Sequence, residues 1–340
     1  MRLLVTGGCG FIGTNFIRYQ LNVHPQTTIV NLDKLTYAGN PQNLTDIQQA
    51  HGGTRYFFEK ADIADAAAVQ AVIEKYSPDA VLNFAAESHV DRSISDPAPF
   101  VTTNVLGTQV LMQAARTAGI KRFVHISTDE VYGSLLPHEA PFTESNPLLP
   151  NSPYSASKAG ADLMVRAFVE TYGFPAIITR CSNNYGPYQF PEKLIPLMLG
   201  KAWENAPLPV YGDGTNVRDW IHVEDHCRGI DLALRKGRDG AVYNFGGNAE
   251  RTNLDVVRAI LRLTGKPESL ISFVKDRPGH DRRYAMDFTL AGDELGYAPV
   301  HDFETGLADT LAWYEKHTTW LENVKSGAYL EFMSRWYGDR

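Results

Sequence analysis

The chain has 340 residues, 44% of them hydrophobic and 21% charged, an ordinary globular mixture long enough for one large α/β domain with an added lobe, or for two domains. A net charge of −7 argues against a broad nucleic-acid or anionic-membrane surface, so an anionic ligand must be met by local cations or backbone donors. Three cysteines (Cys9, Cys181, Cys227) form no CxxC pair, so neither a disulfide framework nor a zinc site is indicated; no apolar run reads as a signal peptide or a membrane span, and the default setting is the cytoplasm.

In chain order, Arg2–Thr6 reads as a buried strand. TGGCGFIG (6–13) follows directly and opens a helix over Gly13–Leu21, with Gly7, Gly10 and Gly13 three residues apart. Glycines there permit a tight turn, close approach of the backbone to a pyrophosphate and close helix–strand packing. The helix N-terminus adds N–H donors and a positive dipole end. The next strand, Thr28–Asp33, ends on an acid about 20 residues beyond the loop. An acid at that place accepts hydrogen bonds from ribose hydroxyls and repels a 2′-phosphate, favouring NAD over NADP, a preference Lys34 softens. The competing reading is a structural glycine turn.

Tyr56–Lys60 (YFFEK) reads as a third strand. It matches the pattern Tyr-x-x-x-Lys, but four residues of strand span about 13 Å, so the two side chains cannot meet. Asp62, just after it, suits either the adenine end of a dinucleotide or the cap of the next helix. Ala66–Tyr76 (helix), Ala80–Phe84 (strand), Phe100–Ala118 (helix) and Arg122–Ile126 (strand) follow. The alternation predicts a doubly wound parallel Rossmann sheet, with ligands along the carboxyl ends of its strands. ISTDEVYG (126–133) then sets Thr128, Asp129 and Glu130 on that edge. Adjacent carboxylates beside a core strand are either solvated turn residues or an acid and a base.

NSPYSASK (151–158) reads as a helix entrance, with Ser152 as N-cap and Pro153 in the first turn. Tyr154 and Lys158 share one face, and a nearby ammonium favours the phenolate. An ordinary surface pair is the alternative. Beyond about residue 180 the texture changes: Pro187, Pro191, Pro196, Pro207, Pro209 and the turn Tyr211-Gly-Asp-Gly interrupt the pattern. Elements return at Asp225–Leu234, Ala241–Phe245, Leu254–Leu263, Ile271–Val274 and Thr305–His317. We expect a smaller mixed lobe over 181–340 beside a nucleotide domain over 1–180, with segments of the lobe returning to the first domain. The histidines, His89 included, show no metal-ligand spacing, and no metal site is expected.

Seven stretches carry a resemblance: LDKLTYAGN (32–40), FAAESHVDRS (84–93), ISTDEVYG, SPYSASKA (152–159), CSNNYGPYQFPEKLIPLM (181–198), LPVYGDGTNVRDW (208–220) and DRPGHDRRYAMD (276–287). Through them nearly the whole chain resembles the extended short-chain dehydrogenase/reductase family, and within it the dTDP-glucose 4,6-dehydratases. The resemblance implies an NAD domain and a nucleotide-sugar lobe. It implies oxidation of dTDP-glucose at C4, loss of water across C5 and C6, and hydride return to C6, a step of deoxysugar (for example rhamnose) biosynthesis. Tyr154, helped by Lys158 and Thr128, would take the C4 hydroxyl proton. Glu130 would remove the C5 proton and Asp129 would protonate the departing C6 hydroxyl. Such a pair needs separated pKa values.

The implied cofactor contacts are Gly7, Gly10, Phe11, Ile12, Gly13, Asp33, Lys34, Leu35, Thr36, Asp62, Ile63, Phe84, Ala85, Ala86, Ser88, Thr103, Tyr154, Lys158 and Asn184. The implied substrate contacts are Ser88, Thr128, Asn183, Lys193, Leu194, Pro209, Val210, Tyr211, Arg218, Asn253, Arg277 and His280. Arg218 and Arg277 suit a diphosphate physically, because a guanidinium fork matches phosphate oxygens. Cys9 stands where the family commonly has alanine, with a slight effect expected on pyrophosphate packing. The family also implies a homodimer through a four-helix bundle, here the segments near 100–118 and 153–172. Their small residues Ala114, Ala115, Ala159, Gly160 and Ala161 suit intrachain packing equally. The competing functions are a UDP-sugar 4-epimerase or decarboxylase, and a non-catalytic NAD sensor.

Overall fold

The computed structural model describes residues 1–325. Its strands are β1 (Arg2–Thr6), β2 (Thr28–Asp33), β3 (Tyr56–Lys60), β4 (Ala80–Asn83), β5 (Phe123–Thr128), β6 (Ala176–Cys181), β7 (Asn183–Tyr185), β8 (Leu208–Tyr211), β9 (Val217–His222), β10 (Val242–Phe245), β11 (Glu250–Thr252) and β12 (Ile271–Val274). Seven of them form one sheet in the order β10-β6-β5-β4-β1-β2-β3, every pairing parallel.

Side-chain alternation builds the two faces of that sheet. On β1, Leu3 and Val5 point to one side, where helices α1 (Phe11–Val23) and α5 (Val223–Lys236) bring Phe16, Ile17, Cys227 and Ile230. Leu4 points to the other, where α2 (Ala66–Tyr76), α3 (98–117) and α4 (Pro153–Tyr172) bring Val69, Leu111 and Val165. Burial on both faces explains strands that read as unbroken apolar runs, and the sheet is the parallel, doubly wound one expected. The middle of α3, Val101–Gly107, is π-helical.

The second layer is a three-stranded sheet, β11-β9-β7, and a two-stranded one, β12-β8. Its core gathers Tyr185, Ile195, Met198, Leu208, Val256, Ile260, Leu311 and Tyr314. The chain leaves the main sheet at Cys181 and enters the small one at Asn183, so Cys181–Asn184 marks the seam. It comes back with α5 and β10, the latter paired beside β6.

Two elements differ from the sequence reading in a way that matters for the site. β5 runs on to Thr128, which pairs with Cys181 on β6, so Thr128 belongs to the strand and Asp129 is the first residue past it. β9 (VRDWIH) carries Arg218 and Asp219 buried within a strand. A charged pair at that place gives no strand signal in the sequence, because only tertiary partners make burial of such groups tolerable.

Candidate active site

A cleft runs along the carboxyl ends of the central strands. At one end it is lined by Gly7, Gly10, Phe11, Ile12 and Gly13. Gly7 has φ +68°, and a Cβ there would sit 2.7 Å from the Ala85 backbone. A Cβ on Gly13 would sit 2.4 Å from the Gly7 carbonyl. No side chain caps the α1 N-terminus, whose N-cap is Gly10. A side-chain-free floor beside an uncapped helix N-terminus fits a dinucleotide pyrophosphate.

Asp33 closes the loop onto β2. Its carboxylate accepts the Leu35 N–H at 2.8 Å and the Cys9 N–H at 2.9 Å while its side chain still lines the cleft. Burial pushes its pKa up, and the two N–H donors oppose that. Lys34 is ion-paired with Asp62 at 2.6 Å. Both readings of Asp62 can now be placed: it lines the cleft and accepts the Ala64 N–H, while the cap of α2 is Asp65. Thr36, Ile63, Phe84, Ala85, Ala86, Ser88, Thr103 and Asn184 also line the cleft. Leu35 does not: it sits at φ +60° with its side chain packed toward the α1 side of the core, so only its backbone serves, by tying Asp33. The Cys9 sulfur, which accepts a hydrogen bond from Asn31 at 3.4 Å, is buried among that same core and leaves the cleft floor to the glycines.

Further along, the end of β5 meets the start of α4. Thr128 caps a single tight helical turn, Asp129–Tyr132; its hydroxyl accepts the Glu130 N–H at 3.3 Å and donates to Asp129 Oδ1 at 3.1 Å. Asp129 is 2% exposed, and its Oδ2 has no hydrogen-bond partner. Burial, then the charge of Glu130, pushes the Asp129 pKa well above the carboxylate range. Glu130 is only partly buried in the cleft wall. Burial raises it too, but Arg277, Arg218 and Lys193 hold it back. The environments therefore pull the two acids apart: Asp129 keeps its proton and Glu130 gives its up first.

A Ser152–Ser155 capping box with Pro153 starts α4, setting Tyr154 and Lys158 on its buried face. Both line the cleft with Thr128, Asp129 and Glu130. The Lys158 ammonium donates to the Ile126 carbonyl at 2.7 Å, and burial brings its pKa down to about 8. Here one expectation fails. The Tyr154 phenol is pushed up, not down, by burial and then by Glu130, and the group pulling the other way is the Thr128 hydroxyl. The four-residue spacing does put both side chains on one buried face, but the lysine ammonium is tied to the Ile126 carbonyl of β5.

The remaining positions fall into groups. Ser88, Asn183 and Lys193 line the cleft, with the Lys193 ammonium on the Ser88 carbonyl at 2.9 Å. Arg218, Arg277, Tyr211 and His280 form a second cluster. Arg218 lies 4.3 Å over the Tyr284 ring. Arg277 and the Tyr211 hydroxyl both go to Asp91, at 3.3 and 3.0 Å. His280 accompanies Asp276 at 2.6 Å, its pKa brought down to about 4 by burial and then by Arg277 and Arg218. Alternation on β8 turns Leu208 and Val210 into the lobe core and leaves Pro209 and Tyr211 on the other face, so the Val210 side chain faces away from this cluster. Leu194 packs against the same core, and Asn253 starts a helix capped by Thr252.

The sequence reading missed Glu87, Gln189, Phe190 and Glu192, which also line the cleft. Glu192 accepts from the Tyr37 hydroxyl at 2.8 Å and from Arg92 at 3.3 Å, joining three of the resembling stretches; no local pattern announces such a contact. Away from the cleft lining, His222, Glu224 and His301 bring potential ligand atoms within 4.8 Å of one another. They are scattered in sequence, which is why spacing did not reveal them. The His301 imidazole and two backbone N–H groups converge on Asp225, which accounts for the cluster as a packed helix start.

Against known proteins, a family profile described as GDP-mannose 4,6 dehydratase matches residues 4–310. A dTDP-glucose 4,6-dehydratase of Xanthomonas campestris is 53% identical over 96% of both chains. The crystal structure of DesIV, a dTDP-glucose 4,6-dehydratase of Streptomyces venezuelae with NAD bound, superposes with a TM-score of 0.91 at 50% identity, covering 96% of this chain and 100% of that one. A UDP-glucose 4-epimerase of Thermotoga maritima shares the fold at a TM-score of 0.86 but only 28% identity, over 94% and 100% of the two chains. Full-length identity of this order, on a cleft that unites Tyr154, Lys158, Asp129 and Glu130, means that the chain belongs to the dTDP-glucose 4,6-dehydratases of the extended short-chain dehydrogenase/reductase family.

Proposed function

We propose that this protein dehydrates dTDP-glucose to dTDP-4-keto-6-deoxyglucose, a hydro-lyase reaction with NAD as a cofactor that ends each turnover as it began. One observation carries this over the epimerase reading: a buried, partnerless Asp129 oxygen and a cation-flanked Glu130 share the cleft with Tyr154. Exchange at C4 alone requires a base and a hydride carrier, whereas elimination across C5 and C6 requires a second base and an acid.

The glycine loop, Asp33 and the Phe84–Ser88 turn would hold the dinucleotide, which when bound accepts the C4 hydride and returns it to C6. Tyr154 takes the C4 hydroxyl proton, with the Thr128 hydroxyl favouring its charged form. The C4 ketone acidifies the C5 proton, which Glu130 removes and, after exchange with solvent, returns to C5 once C6 is reduced. Asp129 delivers its proton to the departing C6 hydroxyl. Arg218 and Arg277 meet the diphosphate, with Ser88, Asn183 and Lys193 along the sugar side. Residues 1–180 supply the cofactor floor, and the described part of 181–340 the nucleotide-sugar cluster; residues 326–340 lie outside the described residues.

The assembly is a homodimer through α3 and α4. Of the eleven large apolar residues left exposed among the described residues, Val101, Leu106, Leu163 and Tyr172 all lie on these two helices. No helix among the described residues is long and apolar enough to cross a membrane. Three unpaired, buried cysteines support a reducing cytoplasmic setting. Turnover in heavy water tests the chemistry: the product carries solvent deuterium at C5 and a 6-deoxy carbon, and an unlabelled hexose isomer would instead establish an epimerase. Sedimentation of the wild type beside Leu163→Glu, expected as dimer and monomer, tests the assembly.

A further inference from the structure

Asp91 has no part in the reaction described above. It lies in the short helix Val90–Ser95 on the Rossmann side and is 3% exposed. Its two oxygens reach two separate segments of the other lobe. Oδ2 accepts the Tyr211 hydroxyl at 3.0 Å, from β8. Oδ1 accepts an Arg277 N–H at 3.3 Å, from the loop after β12. The Arg277 side chain is 17% exposed, and its buried Nε has no partner. A buried guanidinium N–H seldom stays unsatisfied. One arm of Arg277 is therefore fastened while its buried Nε–H is left without a partner beside the cluster that holds Arg218 and His280.

We propose that Asp91 is a positioning residue for the diphosphate side of the site: it grips Tyr211 and Arg277 across the two lobes and so holds the guanidinium of Arg277, with its unpartnered N–H, ready for a phosphate oxygen. This rests on the reading of the site as one for a nucleotide diphosphosugar. Asp91 itself touches no substrate. Without its carboxylate, the guanidinium swings freely among solvent and neighbouring acids, and the diphosphate must order it on binding.

The experiment compares wild type, Asp91→Asn, Arg277→Ala and the double variant, each loaded with NAD. Steady-state turnover of dTDP-glucose gives KM and kcat, calorimetry gives dTDP binding, and absorbance gives bound NAD. We expect Asp91→Asn to raise KM about tenfold or more and to weaken dTDP binding in proportion, since a charge-assisted hydrogen bond is lost. kcat should stay within about threefold and NAD content should be unchanged, because Asp91 meets neither reacting atoms nor cofactor. In the Arg277→Ala background the same change should cost under about threefold, because the group through which it acts is gone. An unchanged KM, an equal penalty in both backgrounds, or a loss confined to NAD content would each overturn the proposal. Tyr211→Phe removes one hydroxyl and covers the case that Asp91→Asn does not fold; a severalfold rise in KM supports the latch, and none overturns it. A wild type that neither turns over dTDP-glucose nor binds dTDP overturns the reading of the site itself, whereas an active wild type with an indifferent Asp91→Asn overturns this role alone.

Discussion

The proposed site joins two groups of residues built in different ways, the cleft lining and the Arg218–Arg277 cluster. The acid–base side comes from two short stretches, the end of β5 with its following turn and the first two turns of α4. The second cluster, proposed above for the diphosphate, draws on β8, β9 and the loop after β12, held to the Rossmann half through Asp91. The first side is rigid because each group sits on a packed element: Tyr154 and Lys158 on the buried face of a capped helix, Thr128 in the ladder of a central strand. The second consists of long side chains, of which Tyr211 and Arg277 are tied to Asp91 on the other lobe. Chemistry placed on rigid local structure and recognition placed across a seam should therefore respond differently to mutation, the first in kcat and the second in KM.

The largest effect expected is on the carboxylates. Glu130→Gln and Asp129→Asn should each lower kcat by about 10²–10⁴ with KM nearly unchanged. Glu130→Gln should also abolish deuterium uptake at C5, and uptake at the wild-type rate would reassign the base. Tyr154→Phe should cost about 10² or more in kcat, read in the same assay. An intact rate there would mean that another group takes the C4 hydroxyl proton. On the other side, Arg218→Lys keeps the charge but loses the planar fork, and should raise KM about tenfold while leaving kcat within a few-fold. A kcat loss as large as that of Glu130→Gln would erase the contrast between the two sides.

The smallest effect sharpens the comparison from the stability end. Burial brings the Lys158 pKa down to about 8 from its ordinary 10.5, so the folded state binds fewer protons than the unfolded state between those values. Stability then rises with pH across that window, and below about 8 the full penalty of a buried ammonium is present. Lys158→Met should stabilise the NAD-free protein at pH 7 by on the order of 1–3 kcal/mol while lowering activity. Its advantage in thermal melts should shrink as pH climbs from 8 toward 10.5. A constant advantage would mean that the ammonium is better solvated than its burial implies.

What local sequence could reveal follows the same division. Strands β1, β2 and β3 and helix α2 were readable to the residue, because apolar runs and helical periodicity act over a few positions. So was the entrance of α4, where Ser152 and Pro153 encode the cap. The glycine loop was readable because only glycine tolerates a backbone at Gly7 with φ +68° pressed against Ala85. β6, β8 and β9 were not read as strands. β9 in particular hides Arg218 and Asp219, whose burial depends on partners far away in the chain.

The amino-acid order alone therefore determined the parallel sheet, the dinucleotide floor and the adjacency of Asp129 and Glu130 beside a strand end. Tertiary structure decided which of these acids keeps its proton, because burial of Asp129 and the cations around Glu130 come from separate segments. It also decided that Lys158 grips the Ile126 carbonyl and that Asp91 joins Tyr211 to Arg277. Propensity and capping act between neighbours in the chain, whereas desolvation and charge act between neighbours in space, and only the fold sets the latter.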